Sequence, residues 1–481
     1  MSDPQTPPGA PPSTEDSPGL AILAAVAAGR SSVAEVAESR LQDIRSKDAQ
    51  IHAFVHLDPE AVRAAASEQD NMGGAAANRP LHGLPIGIKD LMDTADLPTE
   101  YGSPLHTGHR PDSDAAVVRS LREAGALIMG KTVTTEFALF HPGPTRNPED
   151  LQRTPGGSSS GSAAAVSAGM LPVALGTQTA GSITRPASFC GIVGFKPTFG
   201  SIDRDGVLLV SETLDTVGIL ARSVSDVSAV FAVIRSDPPN HAAVPYGGGR
   251  PGVPDDVDRA EAPPTTTTAA RAPARNGTRL RLGFARTAEW MQAEDSTRAA
   301  IEDYVQELRA AAGDGGGIDV VDVLLPAAFD GLTAAQITVM EFEASRNLRE
   351  RCAEDPSLVS NRLAELLERG AGISAEEYGS ALELAQACRR QLPTLFADID
   401  ALLVPAVRGE APLFEDGTGD PLFARCWTLL HCPTISLPLL TGPSGLPIGL
   451  QLVADLNDDD RLLAVAGTLM DRRRPTPRRG S

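Results

Sequence analysis

Apolar residues recur along this chain in two rhythms. After Ser32, which is placed to cap, Val33, Val36, Leu41 and Ile44 fall at roughly helical spacing. In LHGLPIGIKD (81–90) the apolar positions run almost unbroken into Lys89, which predicts a buried strand ending on a lysine. SDAAVVRSLREAG (113–125) reads as a helix closed by Gly125, and ALIMGKT (126–132) as the strand that follows. LRLGFA (280–285) predicts a strand. Asp295 or Ser296 then caps a helix with an apolar stripe of Ile301, Tyr304, Val305 and Leu308. GIDVVDVLLP (317–326) and DIDALLVPA (398–406) are further buried-strand candidates. Strands and helices alternating over the whole length predict an α/β fold whose sheet is covered on both faces.

Composition narrows the picture. The 481 residues suffice for two or three domains, or for one large α/β domain with insertions. Acidic residues outnumber basic ones, 62 against 42, and a charge of −20 argues against a nucleic-acid surface. The five cysteines, Cys190, Cys352, Cys388, Cys426 and Cys432, form no CxxC pair, so neither a disulfide framework nor a zinc site is expected. Acid and proline at the N-terminus do not suit a signal peptide, and no apolar run reaches the ~18 residues of a membrane span. These features predict a cytoplasmic protein. Residues 1–18 read as a disordered Pro/Ser tail, 19–470 as the folded domain, and 471–481 as a basic C-terminal tail. Within the domain, 236–278 is dense in Pro, Gly and Thr and reads as an insertion or linker.

Candidate chemistry gathers around serines. Residues 156–162 read GGSSSGS, a loop composition that leads into SAAAVSAG, a helix former of small residues. GSSSG also matches the GxSxG nucleophile elbow, with Ser159 central; that mechanism needs a later acid and a histidine, for which His431 is the one plausible candidate. Lys89 offers another route. A lysine at the end of a buried strand either reaches water, or loses its proton through desolvation and serves a Ser–Lys pair that needs no histidine. HTGH (106–109) lacks the spacing of a metal site, and no cofactor motif is present.

The run GGSSSGSAAAVSAGMLPVALGTQTAGSITRPASFCGIVGFKPTFG (156–200) resembles the signature segment of the amidase signature family of serine hydrolases. Collinear similarity extends to LHGLPIGIKD, GKTVTTEFA (130–138), GPTRNPED, DALLVPA and GLPIGLQLVAD (445–455). The resemblance implies a large mixed central β-sheet covered by helices, and hydrolysis of a small linear amide without cofactor or metal. It maps the catalytic lysine to Lys89, the bridging serine, preceded by a cis peptide bond, to Ser158, and the nucleophile to Ser182. The oxyanion hole maps to the backbone amides of Thr179, Ala180, Gly181 and Ser182.

Two departures stand out. Many members read GTDTGGSIRxP where this chain reads GTQTAGSITRP, so Gln178 replaces an acid, Thr184 replaces a base, and Arg185 follows one place later. Arg185 is thereby a candidate for binding a substrate carboxylate, as in malonamidase-like members, or for buttressing the loop through carbonyls. Ala180 replaces a glycine and would be strained if that position needed a positive φ. The partner expected is a small amide, with neither nucleic acid nor membrane and with a homodimer left open. The alternatives are the glutaminase (A) subunit of a tRNA-dependent amidotransferase and a catalytically silent scaffold. Phe137, Phe195, Phe423 and Trp427 could line an apolar site, although aromatics at such positions are more often plain core, and substrate choice is expected from residues 101–110, 337–348 and 408–432.

Overall fold

A computed structural model describes residues 17–72, 78–236, 279–313 and 317–472. Eleven strands form one sheet: β1 (Phe54–His56), β2 (Pro85–Lys89), β3 (Leu127–Thr132), β4 (Val173–Gln178), β5 (Val193–Lys196), β6 (Thr216–Ala221), β7 (Leu280–Ala285), β8 (Ile318–Val323), β9 (Ala401–Pro405), β10 (Thr434–Thr441) and β11 (Pro447–Val453). Their spatial order is β1-β3-β2-β4-β6-β5-β10-β11-β9-β7-β8. β2 runs parallel to β3 and β4, and β7 runs parallel to β8 and β9. The strands between these blocks, β6, β5, β10 and β11, pair antiparallel throughout. The sheet is mixed.

Successive residues of one strand enter different apolar clusters, as Ala401 and Leu403 on one face of β9 and Leu402 and Val404 on the other. Both faces are therefore covered, and this is why the residues leading into Lys89 in β2 read as a nearly continuous apolar run rather than an alternating one. The predicted elements are present: Ser32 caps Val33–Ile51 in a capping box with Glu35, and Gly125, at φ +89°, closes the helix Ala116–Glu123.

Some boundaries differ from the sequence reading. The first helix begins at Pro18 with Ser17 buried before it, so folded structure starts inside the span assigned to the tail. The helix carrying Ile301 and Val305 opens at Asp295, and the Glu294 carbonyl takes its first bond, from Arg298. Most of the three Pro-rich or basic segments lies outside the described residues: 1–16, 237–278 and 473–481.

Candidate active site

Lys89 ends β2, and the β2–β4 register, with Ile88 opposite Leu175, sets it beside the end of β4. Its Nζ lies 2.7 Å from Ser158 Oγ and 2.7 Å from Thr177 Oγ1. Lys89 is wholly buried, and desolvation draws its pKa from the ordinary value near 10.5 down to about 7, with the Asp215 carboxylate opposing. At neutral pH a large fraction of this side chain is uncharged amine, which can accept a proton.

Ser158 stands at the end of the loop leading to the helix Ser160–Ser167, and the Gly157–Ser158 peptide bond is cis. The helix is buried along its serine and alanine positions because only small residues let it lie this close to β2, β3 and β4. Ser159, the elbow candidate, is occupied structurally: its Oγ lies 3.3 Å from Thr177 O and accepts from Thr177 N. His431 makes no hydrogen bond to Ser158, Ser159 or Ser182 among the described residues. It stacks on Phe199 at 4.2 Å, meets Thr213 O through Nε2, and is held well below its usual pKa by burial and then by Arg389. Among the described residues no histidine bonds Ser159 to complete an elbow triad.

Ser182 sits at the end of the turn that follows β4. Its carbonyl accepts from Ser159 N at 3.4 Å, and Ser182 lines a small cavity together with Thr179, Ala180, Arg185, Phe140 and Met340. The structure thus brings Lys89 and Ser158 into direct contact. Among the described residues no hydrogen bond joins Ser158 to Ser182.

The turn is held by its carbonyls and side chains. Gln336 donates to Thr179 O at 3.0 Å, Thr428 to Ala180 O at 2.8 Å, and Thr179 Oγ1 to Asp215 Oδ1 at 2.5 Å. The amides of Ala180, Gly181 and Ser182 donate to no acceptor among the described residues. Unbonded amides are one precondition for holding an oxyanion. Ala180 is not in the left-handed region, so alanine is unstrained there. Gly181 is needed for proximity instead, since a Cβ would stand 2.7 Å from Pro421 Cβ.

Gln178 accepts from Ile183 N at 2.9 Å and Thr184 N at 3.1 Å, and donates to Thr428. A neutral amide thus takes up the amides that open the next helix, and the loss of acid and base together leaves no unpaired charge at this point. Arg185 is buried, and its Nε and Nη2 donate to Gly157 O while Nη1 reaches Gly419 O. It bonds backbone on both sides of the serine loop while also lining the cavity. Burial and then Arg425 weigh against its charge, with Asp420 opposing.

Of the two readings open to the aromatic candidates, lining or core, the structure shows core. Phe137, Phe195, Phe423 and Trp427 lie in the core, and the cavity wall is built from Leu139, Phe140 and Met340. Met340 and Pro421 do come from two of the three segments expected to set substrate choice. Thr177, Asp215 and Gln336 were not singled out from the sequence. Thr177 stood within GTQT, and the signal for Asp215 was an acid immediately preceding an apolar strand, TVGILA.

A large mixed sheet covered on both faces, with a buried lysine against a serine loop, defines a class of enzyme. The chain belongs to the amidase signature family: the Amidase family model matches residues 35–463. The curated relatives it resembles include the glutamyl-tRNA(Gln) amidotransferase (A) subunit of Anaeromyxobacter sp. (strain K), 34% identical, covering 94% of this chain and 96% of the relative. The like-named protein of Salinispora tropica is 33% identical, with coverage of 92% and 94%. Among solved structures, a protein from a vestigial complex bearing on the origins of an s-triazine catabolic enzyme has a TM-score of 0.80 at 29% identity, covering 95% and 98%. The native peptide amidase of Stenotrophomonas maltophilia has a TM-score of 0.75 at 28% identity, covering 94% and 96%. The chain is accordingly an enzyme of a class acting on carbon–nitrogen bonds. No helix among the described residues is long and apolar enough to cross a membrane.

Proposed function

We propose that this enzyme hydrolyses the C–N bond of a small linear amide through an acyl-enzyme on Ser182. Neutral Lys89 takes the Ser158 proton, Ser158 takes that of Ser182, and the Ser182 oxygen attacks the carbonyl carbon. The amides of the 179–182 turn stabilise the oxyanion, an effect worth about 3–4 kcal/mol per well-placed donor. The relay returns the proton to the departing nitrogen, and water then splits the ester to acid and ammonia or amine. The contact between a buried lysine with a pKa near 7 and Ser158 carries this reading. Five unpaired cysteines, all buried, fit a reducing cytoplasm.

A second reading, the glutamine-hydrolysing component of a tRNA-dependent amidotransferase, draws on the curated relatives, which carry that name across nearly the whole chain. It requires partner subunits and glutamine as the favoured amide. Both readings meet in one experiment. The isolated chain is assayed on malonamate, glutamine, aliphatic amides and anilides, with Ser182→Ala as control. Turnover of a small amide by the chain alone is the expected result, whereas glutamine preference together with a stable co-purifying heteromer selects the second reading. A fluorophosphonate should label Ser182; a label on Ser159, or none, would sink the assignment.

Arg185 is proposed to hold a substrate carboxylate with the N–H groups not directed at Gly157 and Gly419. Arg185→Lys removes the planar fork but keeps the charge, and should slow an acidic amide about tenfold more than a neutral one. Equal losses on the two substrates, in this variant and in Arg185→Ala, would leave Arg185 only its buttressing role.

A further inference from the structure

Asp215 lies outside the signature segment, in the TLD turn that opens β6. Its carboxylate is buried and collects three donors: Thr179 Oγ1 on one oxygen, and the amides of Val210 (2.7 Å) and Ser211 (3.0 Å) on the other. Three donors favour the ionised form, against a burial that raises its pKa. The one ligand it takes from outside its own turn is Thr179, the first residue of the turn ending in Ser182. The opposite side of Thr179 is fixed by Gln336, itself bonded by Arg425.

We infer that Asp215 is a positioning residue for the reaction: through Thr179 it aims the free amides of Ala180, Gly181 and Ser182. This rests on the proposed Lys89–Ser158–Ser182 relay.

The charges around Asp215 come from several elements. Arg204 donates to the Asp215 carbonyl at 2.9 Å and to Glu212 O. Glu343, on the helix Leu332–Cys352, takes Ser211 Oγ, Thr213 N and Tyr378 OH, and so anchors the same turn from the far side. Glu212 is matched by Arg346, and His431, which contacts Arg389, touches Thr213 O. The Asp215 carboxylate also favours the protonated form of Lys89, against the larger effect of burial. Removing its charge disfavours lysinium, so the acidic limb of kcat/KM must move to lower pH.

Two variants separate aim from field. Asp215→Asn keeps the volume but turns an amide nitrogen toward existing donors. It should lower kcat between about ten- and a hundredfold with KM within about twofold, because the lost alignment acts in the transition state. Its acidic limb should fall by roughly half a pH unit or more. Thr179→Val removes only the hydroxyl link, and should reproduce the kcat loss with the limb in place. Wild-type kcat in Asp215→Asn overturns the inference, as does a loss carried by KM rather than kcat. If Asp215→Asn does not fold, Thr179→Val decides, and wild-type kcat there overturns it. Ser182→Ala run alongside distinguishes the failures: activity surviving in that variant defeats the relay, whereas an inactive Ser182→Ala beside a fully active Asp215→Asn defeats only the role of Asp215.

Discussion

Lys89→Met should reduce turnover by about ten-thousand-fold while the protein still folds. Methionine fills the space of the lysine stem but accepts no proton, so Ser158 loses its base, and the loss of a positioned base is worth about two to four orders of magnitude or more where groups act as a unit. In the parent, kcat/KM should rise with pH through an acidic limb near 7, because only neutral Lys89 can take the proton. Stability carries the same signature. The pKa of Lys89 is lower in the fold than in the unfolded chain, so between about pH 7 and 10.5 the unfolded state binds more protons. This group therefore makes the folded state relatively more stable as pH rises through that window. Melting temperatures of parent and Lys89→Met, followed from pH 7 to 10, should show the parent gaining on the variant. A constant gap would mean that Lys89 is not desolvated as described.

Gly161→Ala should be the most damaging small substitution in the serine region. A Cβ there would stand 2.2 Å from Ala53 O and 2.3 Å from Val133 N, both backbone atoms that cannot rotate away. Gly161 N also donates to Val133 O at 3.0 Å, so the helix start and the strand end would have to separate. Overpacking of this kind costs about 3 kcal/mol, read as a lower denaturation midpoint. Because that helix start positions Ser158, activity should fall as well. Gly379→Ala, in a helix with open space where the Cβ would go, is the control and should stabilise by about 0.5–1 kcal/mol. Equal behaviour of the two variants would contradict the close approach at Gly161.

The strands and the principal helices were legible because burial on both faces writes itself as local pattern: PIGI, LIMG and ALLVP are apolar runs within their strands. Lys89 was conspicuous for the opposite reason, a charge where the pattern called for another apolar side chain. The GxSxG match misleads for a physical reason as well. A five-residue pattern specifies a turn, and whether the serine in that turn is free depends on Thr177, which meets Ser159 across 18 residues of sequence.

Arg185 illustrates what local reading leaves open. Its two candidate duties, carboxylate and backbone, use the same donors, and only the approach of Gly157 and of Gly419, 234 residues away, shows where several of them point. Thr179 is likewise an unremarkable threonine until Asp215 and Gln336 arrive from 36 and 157 residues further along the chain.

By itself, then, the sequence determined the α/β elements, the family resemblance and the two serine clusters, all of which rest on short-range periodicity and contiguous runs. Only the tertiary structure decided that Lys89 meets Ser158 across 69 residues in the buried interior, that three amides of the turn stay unbonded, and that Asp215 sits behind it. Proton affinity and amide direction depend on desolvation and on distant partners, and neither leaves a trace in the order of residues.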